Sequence, residues 1–402
     1  MSEIKQAVIF CGGLGSRLGN ITKKVPKPMV DVNGKPFLEH LLIQLKKNGI
    51  SKILLLVGYK SEIIKSYFGT GKRFNIKISY SYMPKETETG TRLFVVKQKL
   101  KDKFILLYCD NYSSLNIHKL NSQFIKLKKS ILFSLVKKKV GNCQFNKKKE
   151  LVNYYKKKSI KNNFVEIGYM IIAKKILNHL KKSDKDFSNF LIKISNKNLI
   201  GGIINNNGYA SIGDKKRLQV TKKLFLNNDY LLIDRDGVLN ISPKKRYVTN
   251  INELKINKNL CIKLPKYSNL ICISNQAGLA TKDLTLKNLK SINTNIKNYL
   301  YQKKIYIKEF FISDHHFKSN SFLRKPNPGL FLMASKKYKF ILDKTFYIGD
   351  DKRDIEAAYN ANTFIIYIGN KKLTQKEKLK YKFIILKKEI KKLYDEKIQN
   401  NF

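Results

Sequence analysis

Two aspartates one residue apart, Asp234 and Asp236 in YLLIDRDGVLN, are the side chains of this sequence best placed to do chemistry. The apolar run before them reads as a buried strand ending at Asp234, and Gly237 turns the chain just beyond. Open α/β sheets bind ligands at the carboxyl ends of their strands, where this pair falls. Two carboxylates there can hold a divalent cation. One can attack phosphorus while the other moves the proton. A second phosphate-handling candidate is CGGLGSRLG near the start. Gly12, Gly13 and Gly15 let backbone N–H groups approach a phosphate, and Arg17, after Ser16, offers a forked cation. Lys27, between Pro26 and Pro28, is a positive charge on a stiff backbone, suited to a transferring phosphate.

Both loops need sheets behind them. IKQAVIFC, KILLLVG, IKISYSY and FILLYCD read as strands, with helices over Pro36 to Lys47, Ser61 to Phe68 and Gly90 to Leu100. That alternation predicts a doubly wound parallel sheet. From Ile131 to Val165 the pattern loosens into short segments with lysine clusters, which fit hairpins laid over the sheet or solvated loops. After a polar stretch, Leu226 to Asp229, the alternation restarts. LLID, LICIS, IKEFFIS, TFYIGD and TFIIYIG read as strands, with helices over Leu284 to Tyr301 and Pro328 to Tyr338. YKFIILKKEIKKLYDEK reads as a last strand and helix. The expected architecture is two three-layer α/β domains, residues 1–225 and 226–402.

A hydrophobic content of 43% is enough for real cores. Net charge is +52, from 81 Lys and Arg against 29 Asp and Glu, so anionic partners are expected. Only 8 of the 81 are Arg, the residue best suited to base edges, and no helix-turn-helix or zinc-finger spacing occurs. A lysine-coated exterior that attracts anionic metabolites fits better than specific nucleic-acid binding. The five cysteines are odd in number and form no CxxC, which reads as buried thiols in a reducing compartment. No signal sequence and no run of membrane-span length is seen, so no membrane contact and a cytoplasmic location are expected.

The glycine loop followed by the PKP segment resembles the sugar-1-phosphate nucleotidyltransferases over about residues 1–220. The resemblance implies a Rossmann-type domain whose loop wraps a nucleoside triphosphate, with Arg17 holding it and Lys27 at the reacting phosphate. It makes Asp110, after FILLYCD, a Mg²⁺ ligand, and Glu166 in VEIGYMII a partner for sugar hydroxyls. The base-reading segment corresponds to ETGTRL, where Glu88 could accept from guanine or be a solvated helix-start residue. Two departures stand out: Cys109 replaces the usual glycine, and Ser211 in YASIGDKKRL stands where many relatives carry a second metal-binding aspartate. Asp214 follows three residues later and is a candidate to reach in.

Four pieces in order, DRDGVLN, ISNQAGLA, RKPNPG and IGDDKRD, resemble the haloacid dehalogenase superfamily, in particular its small-capped histidinol-phosphate and heptose-bisphosphate phosphatases. The resemblance covers about residues 229–395. It implies Asp234 as nucleophile, Asp236 as acid and base, and Ser274 on the phosphoryl oxygens. Asn275 and Gln276 orient phosphate or substrate, Arg324 joins them in binding it, and Lys325 neutralises charge. Asp350 joins Asp234 and the Asp236 backbone carbonyl on Mg²⁺, Asp354 orients that shell or Lys325, and Asp351 is either part of the site or a solvated turn residue. The spacings leave no room for more than a minimal cap. Relatives often carry a zinc loop before the RKP piece. Here His315 and His316 remain, but Ser313, Ser321 and Leu323 stand at the cysteine positions, so no structural zinc is expected.

The combination implies a bifunctional enzyme. A sugar bisphosphate, of which D-glycero-D-manno-heptose 1,7-bisphosphate is the expected case, loses its 7-phosphate, and the sugar 1-phosphate is then activated with GTP. Mg²⁺ is expected in both domains. Three alternatives stay open: a histidinol-phosphate-type phosphatase, a phosphatase with a nucleotide-binding but inactive first domain, and a lysine-rich nucleic-acid binder.

Overall fold

Continuous apolar runs become the central strands of two separate sheets, as expected when helices cover both faces. The computed structural model describes residues 3–146, 150–226, 230–242, 248–262, 264, 269–370, 373–374 and 384–386. The chain divides into two units, Met1–Lys223 and Leu224–Phe402.

In the first unit, β1 (Gln6–Cys11), β2 (Lys52–Val57), β3 (Lys77–Tyr82) and β4 (Lys103–Tyr108) lie parallel in the order β4-β1-β2-β3. Every residue of β1 is buried. Helices α1 (Phe37–Lys47), α2 (Ser61–Phe68) and α3 (Thr89–Val96) connect them, and α4 (Ile117–Leu127) and α6 (Lys215–Leu226) come later in the chain. In α1, Phe37, Leu41 and Leu45 recur at helical spacing and are all buried.

The stretch from Ile131 to Val165 departs from the expectation. It is neither a layer over the sheet nor loop. It forms β5 (Ile131–Lys137), β6 (Gly141–Phe145) and β7 (Val152–Ser159), which continue the sheet with β8 (Phe164–Ala173) and β9 (Ile200–Ile204). β8 runs antiparallel to β4, β5 and β6, and β9 parallels β5. Leu135, Cys143 and Val152 reach the core under α5 (Phe187–Asn196), while Lys156 to Lys158 on β7 stay exposed. An edge strand lined with lysines resists pairing with another chain.

In the second unit, β10 (Tyr230–Ile233), β11 (Asn269–Asn275), β12 (Tyr306–Ser313), β13 (Phe346–Gly349), β14 (Phe364–Tyr367) and β15 (Ile384–Leu386) are all parallel. Their order is β12-β11-β10-β13-β14-β15. Alternate residues feed two cores. Leu232, Ile271, Ile273, Tyr347 and Ile365 pack with α8 (Gly329–Tyr338) and α9 (Lys352–Ala361). Leu231, Ile233, Cys272 and Ile348 pack with α7 (Leu286–Gln302) on the other face. This three-layer arrangement puts the ends of β10, β11 and β13 side by side. The helix expected after β15 lies outside the described residues. Among the described residues, no helix is long and apolar enough to cross a membrane, and all five cysteines are free and buried.

Candidate active sites

Asp234 follows the last residue of β10, and its N–H donates to the Ile348 carbonyl of the neighbouring strand at 2.9 Å. Gly237 closes the turn with φ +83, and a Cβ on it would stand 2.0 Å from an Asp350 carboxylate oxygen. Only glycine lets the loops after β10 and β13 meet this closely.

Lys325 joins the acids. Its Nζ lies 2.8 Å from Oδ1 of Asp234 and 2.8 Å from Oδ1 of Asp354, and donates to the Tyr347 hydroxyl at 2.9 Å. Tyr347 in turn donates to Asp354 at 2.8 Å. Asn275 grips the lysine's backbone at both ends, accepting from its N–H and donating to its carbonyl, each at 3.0 Å. Asp354 also accepts the N–H groups of Asp350 and Asp351 at 3.1 Å. Asp351 caps α9 and pairs with Arg353. Its described role is therefore that of a helix start.

Carboxylate oxygens of Asp234, Asp350 and Asp354 all lie within 4.8 Å of one another. Three acids against one lysine leave a partly buried excess of negative charge. Burial, with Asp354 adding to it, pushes Asp350 up to about 6. Burial also raises Asp234, against the pull of Lys325. Burial alone would lower Lys325, but Asp234 and Asp354 outweigh it and hold the ammonium charged. Oxygen donors short of positive charge fit a hard divalent cation such as Mg²⁺.

Those shifts set a pH dependence. The folded value of Asp350, about 6, exceeds that of an unfolded aspartate, about 3.9. Folding therefore takes up a proton, and the associated stability is present at low pH and lost as pH rises through about 6. In chelator, the second unit should unfold at a lower temperature near about pH 8 than near about pH 5.5. Mg²⁺ should raise the midpoint more at the higher pH, because it binds deprotonated carboxylates. Calorimetry with and without chelator checks this. A midpoint insensitive to both variables would refute the cation site.

The Asp236 carboxylate stands outside the three-acid cluster. It accepts from Arg235 at 3.0 to 3.2 Å, from Asn240 at 3.1 Å and from Gln276 at 2.6 Å. The Gln276 amide also donates to Ser274 Oγ at 2.8 Å and accepts from Arg235. A cavity of about 200 Å³ opens over the cluster, lined by Asp234, Asp236, Ser242, Ser274, Asn275, Arg324, Lys325 and Arg353 among others. Gln276 is fully buried behind it. Arg324 donates to the His315 carbonyl at 3.2 Å. His316 accepts the Lys318 N–H, and Ser321 Oγ accepts that of Leu323. Sequence reasoning missed Arg235, Asn240, Tyr347 and Arg353.

In the first unit, Lys27 Nζ meets Asp110 Oδ2 at 2.5 Å, linking the PKP segment to the end of β4. Gly15 is left-handed, with φ +67, and a Cβ there would lie 2.9 Å from Lys27 Cβ. The glycine loop is thus folded down onto the lysine. Gly13 faces open space, and Ser16 and Arg17 are exposed. Glu88 is exposed immediately before α3. Glu166 on β8 accepts the Gly168 N–H. Burial, reinforced by Asp110 and opposed by the Gly168 and Tyr169 N–H groups, pushes it up to about 8, so near neutrality it can donate an O–H.

Ser211 pairs with Asn111, next to Asp110, and its Oγ accepts the Gly213 N–H at 3.1 Å. Asp214 accepts the Arg217 N–H at 2.8 Å and pairs with its guanidinium, so its carboxylate serves the next helix. A cation at Asp110 would therefore rely on triphosphate oxygens and water for much of its shell.

Comparison with known proteins gives two families along the chain. The family described as Nucleotidyl transferase matches residues 6–195. The family described as Haloacid dehalogenase-like hydrolase matches residues 285–368, a span that takes in Lys325, Asp350 and Asp354. The D-glycero-alpha-D-manno-heptose 1-phosphate guanylyltransferase of Campylobacter jejuni is 33% identical over 192 residues, covering 46% of this chain and 84% of that protein. Its namesake from Aneurinibacillus thermoaerophilus is 31% identical over 131 residues, covering 32% of this chain and 56% of that protein. Among solved structures, HddC from Yersinia pseudotuberculosis aligns with a TM-score of 0.48 at 23% identity, over 55% of this chain and 99% of that one.

Proposed function

Because the chain belongs to the nucleotidyl transferase family by its first unit and joins to it a haloacid dehalogenase-like hydrolase, we propose that it carries out two consecutive steps on one sugar. It is an enzyme with sugar-1-phosphate nucleotidyltransferase and phosphatase centres. In the proposed sequence, D-glycero-D-manno-heptose 1,7-bisphosphate loses its 7-phosphate in the second unit. The heptose 1-phosphate then attacks the α-phosphorus of GTP in the first unit, and pyrophosphate leaves. The observation that carries this reading is the lysine-bridged acid cluster under an open cavity, on the same chain as a Lys27–Asp110 pair beneath a glycine loop. The heptose and the guanine rest on the names of the relatives.

In the phosphatase centre, Asp234 Oδ1 is engaged by Lys325 and by the Arg235 N–H, which leaves Oδ2 to attack phosphorus. The bond from phosphorus to the sugar oxygen breaks, and Asp236, which must enter this step in its acid form, gives that oxygen its proton. Asp236 then takes a proton from water, whose oxygen attacks the aspartyl-phosphate, and the bond to Oδ2 breaks. Ser274 holds the phosphoryl oxygens, Lys325 counters their charge, and Arg324 lines the cavity beside them. Asn275 fixes the lysine, and Gln276 with Arg235 fixes Asp236. Mg²⁺ held by Asp234, Asp350 and the Asp236 carbonyl would neutralise charge on the attacking carboxylate and the phosphoryl group. In the transferase centre, N–H groups of the loop from Gly12 to Gly15, with Ser16 and Arg17, hold the triphosphate. Lys27 counters charge at the α-phosphate, and Asp110 would share a Mg²⁺ with it. Glu88 accepts from guanine, and Glu166 donates to a sugar hydroxyl.

The test supplies the full chain with heptose 1,7-bisphosphate, GTP and Mg²⁺. Phosphate release should precede pyrophosphate release in equal amounts, with GTP used ahead of ATP, CTP and UTP. Faster phosphate release from histidinol phosphate than from the bisphosphate would overturn the substrate. Preference for another nucleotide would overturn the base.

A further inference from the structure

The ETGTRL segment contains a residue that the transfer reaction does not yet account for. Arg92, in α3, is 2% exposed. Its Nε donates to the Thr87 carbonyl at 2.9 Å, and its two terminal nitrogens donate to the carbonyls of Val57 and Pro84 at 2.7 Å. The guanidinium lies against two glycines. A Cβ on Gly12 would stand 2.3 Å from Arg92 Cζ, and one on Gly58 2.7 Å from a terminal nitrogen. One side chain thus gathers the loop ends after β1, β2 and β3, three adjacent strands at the sheet's ligand-binding edge.

Its charge is unbalanced. No Asp or Glu among the described residues pairs with it, and its neighbour Cys11 is a buried thiol pushed well up by that burial, so it supplies no anion. The three carbonyls satisfy hydrogen bonds but carry no net charge. A buried cation without a counter-ion costs free energy, and burial correspondingly lowers the arginine's own pKa. A bound anion on the other side of Gly12 would offset that cost.

We propose that Arg92 is a positioning residue for the nucleotide: a buried positive charge beneath the glycine loop whose counter-charge is the triphosphate of the bound substrate. The inference rests on the first unit being a nucleotidyl transferase and adds a residue that touches no substrate. It makes the site selective for highly charged anions over the uncharged nucleoside.

The experiment measures equilibrium binding of GTP, inorganic tripolyphosphate and guanosine to the full chain and to Arg92→Met and Arg92→Lys. The Met variant should bind GTP and tripolyphosphate about 10- to 100-fold more weakly, while guanosine changes less than about threefold. The Lys variant, still charged, should keep most of the preference for the triphosphate over guanosine. A loss of equal factor for GTP and guanosine would make Arg92 a brace only and overturn the inference. So would unchanged binding of all three. If the Met variant does not fold, Arg92→Gln, neutral yet keeping two amide N–H groups for donation, gives the same reading. A wild-type chain that binds no nucleoside triphosphate would instead remove the transferase reading, and this inference with it.

Discussion

Replacing Asp234 with Asn is expected to stop phosphate release, by a factor on the order of 10⁴ or more, while pyrophosphate release from supplied sugar 1-phosphate and nucleotide continues. The amide matches the carboxylate in size. Its oxygen can still accept the Arg235 N–H, now made at 2.7 Å. What it lacks is a nucleophilic oxygen. Stability gives the control. Asp234 sits in a cluster with Asp350 and Asp354, and its own pKa is raised by burial against the pull of Lys325. Removing one negative charge from that cluster should leave the chelator midpoint of the second unit no lower than in the parent. Lost turnover with an intact or higher midpoint assigns the effect to chemistry. Full phosphatase turnover in the Asn variant would mean that another group attacks phosphorus.

The parts of this design visible in sequence are those written in residue type and order. β1, β4, β10 and β13 are buried on both faces and so read as unbroken apolar runs, and an acid just past such a run stands out, as Asp110, Asp234 and Asp350 do. β6 and β7 were not legible as sheet strands. They lie toward the edge, and the exposed lysines of β7 hide its alternation. Asn275 and Gln276 read as substrate ligands, but an amide both donates and accepts, and here both side chains meet protein: the Lys325 backbone, Asp236 and Ser274. Tyr347 carries no signal of its role in the sequence, because its hydroxyl partner is a lysine on a loop 22 residues away. Arg92 was hidden for a related reason. Its partners are backbone carbonyls, which have no signature in the sequence. The only outward sign was an arginine at the head of an apolar run, in TGTRLFVV.

Replacing Lys325 with Met should show how the acid cluster is held together. The lysine side chain is 3% exposed, between two carboxylates. Methionine fills most of the same stem but leaves no ammonium. Removing one partner from a buried ion pair costs about 3–5 kcal/mol. For a unit of this size that is a drop in midpoint of roughly 6–20 °C. Asp354 keeps the Tyr347 hydroxyl and two backbone N–H groups, whereas among the described residues Asp234 keeps only the Arg235 N–H. Asp234 is therefore the acid that must take a proton, and its already raised pKa should climb further. A folded pKa above the unfolded one gives stability at low pH that is lost on alkalinisation, so the variant should recover as pH falls. Added Mg²⁺ should restore part of the midpoint near about pH 8 by replacing the missing positive charge. Phosphate release should still fall by about 10²-fold or more, since neither a protonated Asp234 nor an unneutralised phosphoryl group reacts well. Thermal scans across pH, with and without Mg²⁺, read all of these together. A chelator midpoint near about pH 8 within roughly 3 °C of the parent would show that the ammonium does not hold the two acids apart, and the charge balance argued for this site would be wrong.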